Sequence, residues 1–168
     1  MGERAGAKPK TGLIGWRGMV GSVLIERMRA ERDFALVEPS FFSTTQAGAP
    51  APDVGGGHGV LGDGYDIEAL AGCDILMSCQ GGDYTEKVHP QLRAAGWRGH
   101  WIDAASALRL NDEAVIVLDP VNRHVIDAAR AAGCRDWIGG NCTVSLMLMA
   151  FGGLIRVGRV EWRTMMAY

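Results

Sequence analysis

"GLIGWRGMVGSVL", residues 12–24, decides how this chain is read. The short apolar run "TGLIGW" (11–16) enters a glycine turn and reads as a strand. "GMVGSVLIERMRAE" (18–31) places Val20, Val23, Leu24 and Met28 at helical spacing and reads as a helix. Between them stand Gly15, Gly18 and Gly21, a G-x-x-G-x-x-G pattern rather than the commoner G-x-G-x-x-G. Glycine lets the backbone turn tightly and approach a pyrophosphate, while the helix N-terminus supplies N–H donors and a positive dipole end. Met19 and Val20, the first helical residues, would present those donors. The chain holds 24 glycines, so the pattern alone is weak, and a plain strand–helix turn competes with it.

The rest of the chain strengthens the binding reading by alternation. "ALVEPSFFS" (35–43) reads as a second strand, broken or edged by Pro39. Residues 46–64, rich in Gly, Ala and Pro, read as a loop with a short extended piece near Val60. "CDILMSCQ" (73–80) is a buried strand, and "DYTEKVHPQLRAAG" (83–96) a helix capped by Asp83, stopped by Gly96 and open to a kink at Pro90. "GHWIDAA" (99–105) and "AVIVLDP" (114–120) read as strands, "NRHVIDAARAAG" (122–133) as a helix, and "CRDWIGG" (134–140) as a strand. The chain is helical from Cys142, and "RVEWRTMMAY" (159–168) begins a further strand. Strands alternating with helices imply a doubly wound parallel sheet covered on both faces.

Composition bounds the function. A length of 168 residues suits one domain with at most an appendage. The net charge of −2 offers no basic face, so neither nucleic acid nor an anionic membrane is an expected partner. The first residues, "MGERAGAKPKT", are polar, resemble no signal peptide and read as a tail over 1–10. The longest apolar stretch, Val144 to Ile155, is interrupted by Gly152 and Gly153 and is too short to cross a bilayer. The cysteines, Cys73, Cys79, Cys134 and Cys142, form no C-x-x-C pair and lie at no zinc-ligand spacing, so no metal is expected and the thiols are read as reduced, in a cytoplasm.

The end of the second strand discriminates between cofactors. A site that prefers NAD usually offers a carboxylate there to the ribose 2′-hydroxyl. This chain offers "FFSTTQ", with Ser43, Thr44 and Thr45 and no acid, and Arg17 in the glycine turn. Those groups suit a 2′-phosphate, so NADP is the expected cofactor; the plainer reading is a strand-ending turn.

"GLIGWRGMVGSVL", "FFSTTQ", "CQGGDYT", "WIDAAS-LR", "LDPVN" and "GGNCTVSLMLM" together resemble the bacterial aspartate-β-semialdehyde dehydrogenases, in the family's order and over almost all of the chain after residue 10. The resemblance implies an α/β fold, Rossmann-like and doubly wound, with a mostly parallel sheet and helices on both faces. It implies an enzyme that converts aspartate semialdehyde, inorganic phosphate and NADP to aspartyl phosphate and NADPH, on the route to lysine, methionine, threonine and diaminopimelate. The family's acyl-accepting cysteine lies in G-N-C-T, which makes Cys142 the nucleophile. Local chemistry agrees: a thiol at a helix N-terminus is turned toward the thiolate by the dipole. Asn141 would position an oxygen of the thiohemiacetal or hold the loop. The commoner fate of an unpaired cysteine is inert burial, and that is how Cys73, Cys79 and Cys134 are read.

By the same resemblance Arg109 grips phosphate, a task suited to a bidentate guanidinium, and Gln80 lies near the cofactor. Met147 and Met149 are read as helix packing. The histidines (58, 89, 100, 124) are read as loop or helix-face residues, none matching the family's catalytic histidine. The family chain is about twice as long. Its other half carries that histidine, a substrate arginine and most of a homodimer interface. The expected organisation is therefore a cofactor domain over 11–140 and, over 141–168, a nucleophile helix opening a catalytic and dimerisation domain, a span expected to be inactive alone. A reductase like the N-acetyl-γ-glutamyl-phosphate enzymes and a non-catalytic NADP-binding module remain the competing readings.

Overall fold

A computed structural model describes residues 7–55 and 59–161. Strand β1 (Lys10–Ile14) leads into helix α1 (Met19–Ala30), then β2 (Glu38–Ser43), β3 (Gly62–Asp63), α2 (Ile67–Ala71) and β4 (Ile75–Ser78). Helix α3 (Gly82–Ala94), β5 (His100–Asp103), β6 (Ala114–Val117), α4 (Arg123–Ala131), β7 (Asp136–Gly139) and α5 (Cys142–Arg156) complete the described elements. The strands form one sheet in the order β3-β2-β1-β4-β5-β7-β6, and each neighbouring pair runs parallel.

Alternation along the strands builds two cores. Leu13 and Phe41 face α1 and pack with Ile25, Met28, Phe34 and Leu61. Ile14 and Phe42, one residue on, face the other way and pack with Leu76, Tyr84, Val88, Leu92 and Trp101. Helices therefore cover both faces, as the doubly wound reading requires. The sheet grows outward from β1 through β2 to β3, then returns across β1 to β4. That reversal parts the loops leaving β1 and β4 and opens a crevice at their C-terminal ends.

Several local expectations change. The helix cap before α3 is Gly81, at φ 106°, and Asp83 sits inside the first turn instead. Helix α3 runs through Pro90, forgoing one backbone bond. Pro39 lies inside β2, not at its edge, and is tolerated because Glu38 donates to Pro9 O. By alternation the missing N–H at 39 faces the side where β3 reaches only Phe42 and Ser43. The sequence reading passed over α2, whose cap is Asp66: Oδ1 accepts from Glu68 N at 3.1 Å and Ala69 N at 3.0 Å. On α1 the buried residues are Gly21, Ile25 and Met28, while Val20 and Val23 are more than half exposed. Lys10, assigned to the tail, already belongs to β1. The strand expected at 159–168 falls mostly outside the described residues, and so does His58.

His124 is exposed on the face of α4, as expected, but two other histidines are not simple surface groups. His89 is buried on α3, and its Nε2 lies within hydrogen-bond distance of Asp136 Oδ1, at 3.0 Å. His100 opens β5, and its Nδ1 accepts from Trp137 Nε1 at 3.0 Å. Sequence periodicity could not foresee either contact, because both partners lie on β7, far along the chain.

Candidate functional site

The glycine turn closes against the end of β4. Gly15 adopts φ +73°, and a Cβ there would stand 2.5 Å from Cys79 C and Gln80 N. Cys79 N in turn donates to Ile14 O at 2.9 Å. Gly21 is needed for the helix to sit on the turn: its Cβ would lie 2.3 Å from Gly15 O. Gly18 differs, with φ −69° and the nearest atom to a Cβ at 3.4 Å, so the protein itself leaves that space open. Helix α1 has no side-chain cap and no acid in its first turn, which leaves its leading amides available to an anion.

A cleft of about 300 Å³ lies at this switch point. Gly15, Trp16, Arg17, Gly18, Phe42, Ser43, Thr44, Thr45, Cys79 and Gln80 line it. The structure thus brings Gly15, Arg17, Gly18, Thr44, Thr45 and Gln80 together. It leaves Gly21 buried behind the turn, and the side chains of Met19, 86% exposed, and Val20 do not line the cleft. Among the described residues lining the cleft, Arg17 is the one cation and no carboxylate occurs. Arg17 stacks 4.6 Å above the Trp16 ring and donates to Gln46 Oε1, which holds its guanidinium near the loop after β2. Ser43 Oγ shapes that loop by accepting from Thr45 N at 3.3 Å and Gln46 N at 3.0 Å.

Cys79 is not the core residue that its apolar strand suggests. It is half-buried and forms part of the cleft wall. Burial, aided by the Asp103 carboxylate, pushes its thiol up to about 11, so it stays protonated near neutrality. Cys73 is buried and likewise pushed up to about 11, by burial first and then by Asp74. Cys134 is half-buried, its thiol directed to the carbonyls of Glu113 and Asp136, both at 3.4 Å.

Cys142 is exposed at the first position of α5. Asn141 caps that helix, its Oδ1 accepting from Val144 N at 3.0 Å, so its side-chain oxygen holds the loop. Arg109 is half-buried and bonds to the loop preceding the cap: Nε donates to Gly139 O at 2.9 Å and Nη2 to Gly140 O at 3.2 Å. Asp103, 1% exposed, closes β5. Sequence reasoning missed Asp103; its only signal was an acid at the end of an apolar strand. Helix α5 carries no buried residue, and Met149, expected to pack, is 51% exposed. Among the described residues no group of three or more His, Cys, Asp or Glu could hold a metal, and no helix is long and apolar enough to cross a membrane.

Residues 10–129 match the family model described as semialdehyde dehydrogenase, NAD binding domain. Among solved structures, an aspartate semialdehyde dehydrogenase from Francisella tularensis is 51% identical, with a TM-score of 0.85 over 92% of this chain and 42% of that one. Aspartate semialdehyde dehydrogenase II from Vibrio cholerae, complexed with ASA, is 22% identical, with a TM-score of 0.71 over 89% of this chain and 47% of that one. The Candida albicans enzyme with NADP is 16% identical, at 0.60, over 90% and 48%. The last two establish likeness of fold. This chain spans less than half the length of each of these chains.

Proposed function

This chain belongs to the semialdehyde dehydrogenase family through its NAD-binding domain, and on that footing we propose that it is the NADP-binding, nucleophile-bearing part of an aspartate-semialdehyde dehydrogenase. The observation that carries the reading is the pairing of two features at the sheet's C-terminal edge. One is a switch-point cleft with a guanidinium, three hydroxyls and no carboxylate; the other is an exposed thiol opening a helix. The 51% identity to the Francisella tularensis enzyme favours aspartate semialdehyde over a related acyl-phosphate substrate.

The residues fit the cofactor. The amides of Met19 and Val20 and the open space at Gly18, whose own amide closes the turn on Gly15 O, suit a pyrophosphate, and Arg17 with Thr44 and Thr45 suits the 2′-phosphate. Gln80, at the mouth of the cleft, would orient the nicotinamide end. When bound, NADP supplies the hydride acceptor. The thiolate of Cys142 attacks the aldehyde carbon and forms a thiohemiacetal oxyanion; collapse of that oxyanion, with the C–H hydride leaving to the acceptor, leaves a thioester. A phosphate oxygen, held by the outer N–H groups of Arg109, attacks the thioester carbonyl and expels the thiolate, giving aspartyl phosphate. The same reading carries a homodimeric assembly, a cytoplasmic location and a place in the biosynthesis of lysine, methionine, threonine and diaminopimelate.

Two measurements test it. Calorimetry should give NADP at least about tenfold tighter binding than NAD, the worth of one charge-assisted contact, with Arg17→Ala narrowing the gap. Equal binding of both dinucleotides counts against the assignment. Peptide mapping after brief iodoacetamide treatment near neutral pH should find Cys142 labelled first and Cys142→Ser free of that label. Faster labelling of Cys79 or Cys134 would remove Cys142 as the nucleophile.

A further inference from the structure

We propose that Asp103 is a positioning residue for Cys142, acting through the 104–109 loop and the Arg109 guanidinium; the proposal rests on the reading of Cys142 as the nucleophile. Asp103 lies between the two halves of the site. Its Oδ2 accepts from Thr85 Oγ1 at 2.6 Å and from Trp101 Nε1 at 3.2 Å, and its Oδ1 accepts from Ala105 N at 2.8 Å. Thr85 stands on α3, the helix that follows Gln80, so the carboxylate ties the cofactor side of the sheet to the loop after β5. Ala104 N donates to Ser78 O at 3.0 Å, and the loop turns back through Arg109 N to Ser106 O at 3.0 Å.

Arg109 then reaches across to the carbonyls of Gly139 and Gly140. These bonds occupy the Nε–Nη2 edge of the guanidinium and leave the Nη1–Nη2 edge for an anion. The next residue, Asn141, caps the helix on which Cys142 stands, and Ser145 N donates to Asn141 O at 2.8 Å. Helix α5 comes close to this loop, since a Cβ on Gly140 would meet Ser145 Oγ. A continuous chain of bonds thus runs from a buried carboxylate to the backbone that presents the thiol. Asp103 itself is buried away from solvent.

The test is the alkylation rate of Cys142 at one pH near neutrality, with Cys134 in the same molecule as reference. Asp103→Asn weakens a charged acceptor, and Arg109→Ala removes the strap. Each should slow Cys142 about threefold relative to Cys134, the size of one weakened helix-terminus interaction. The double variant should be no slower than Arg109→Ala alone, because the two residues act in series. Millimolar guanidinium ion should restore Arg109→Ala and leave Asp103→Asn unchanged. Should Asp103→Asn fail to fold, Thr85→Val, which removes one of the three bonds, takes its place with the same expected direction. Additive losses, an Asp103 variant that labels like the unaltered chain, or equal slowing of Cys134 would overturn the proposal. If Cys142 is not the fastest thiol in the unaltered chain, the underlying reading fails instead.

Discussion

Gly15→Ala should destabilise this protein by about 3 kcal/mol or more, while Gly18→Ala, three residues on, should change stability by less than about 0.5 kcal/mol. The difference comes from backbone alone. At Gly15 the new methyl meets a left-handed φ of +73° and backbone atoms of Cys79 and Gln80 at 2.5 Å. Neither strand end can retreat, because Ile14 and Ser78 are paired in the sheet. At Gly18 φ is −69° and the nearest atom stands 3.4 Å away. On the proposed function that open space receives the pyrophosphate, so Gly18→Ala should keep its urea midpoint and lose dinucleotide affinity. If Gly15→Ala melts like the unaltered chain, the close crossing of the β1 and β4 ends is wrong. If Gly18→Ala binds NADP normally, the phosphate does not approach there.

Asp136→Ala should cost about 3–5 kcal/mol, the range for leaving buried charge partners uncompensated. Asp136 is 6% exposed at the start of β7, and its Oδ1 receives both His89 from α3 and the Arg93 guanidinium. Asp136→Asn should lose less, because an amide oxygen still accepts. Burial alone would raise the Asp136 carboxyl, but the bonds from His89 and Arg93 hold it below the usual range. Its folded value is therefore depressed. The stability it contributes is present above the unfolded carboxylate value, about 3.9, and is lost only as pH falls through the lower folded value. His100 acts earlier in an acid titration. Burial first, then Arg135 and Arg93, hold it below its ordinary value, so it stays neutral while the unfolded chain takes up a proton below about 6.5. Stability should therefore decline as pH falls below that point, and His100→Gln should flatten the decline. A urea midpoint for the unaltered chain that is constant from pH 7 to pH 5 would contradict this account of His100.

The sequence by itself determined the architecture and most of the lining of the switch-point cleft, because both rest on local patterns. Strand–glycine–helix punctuation, alternating elements and an acid-free "FFSTTQ" are readable within short windows. The start of helix α5 at Cys142 was legible for the same reason, while the capping bond from Asn141 to Val144 is seen only in the structure. What the tertiary structure decided was every relation across the sheet. Cys79 belongs to the cleft wall because β4 lies beside β1, a pairing of residues more than sixty apart. His89 is buried against Asp136 and half-buried His100 meets Trp137 because β7 inserts between β5 and β6, an order no periodicity encodes. Arg109 reaches Gly139 and Gly140, thirty positions on, only because β5 and β7 are neighbours. Propensity and capping act between residues close in the chain, whereas burial and buried hydrogen bonds depend on which strands the fold sets side by side.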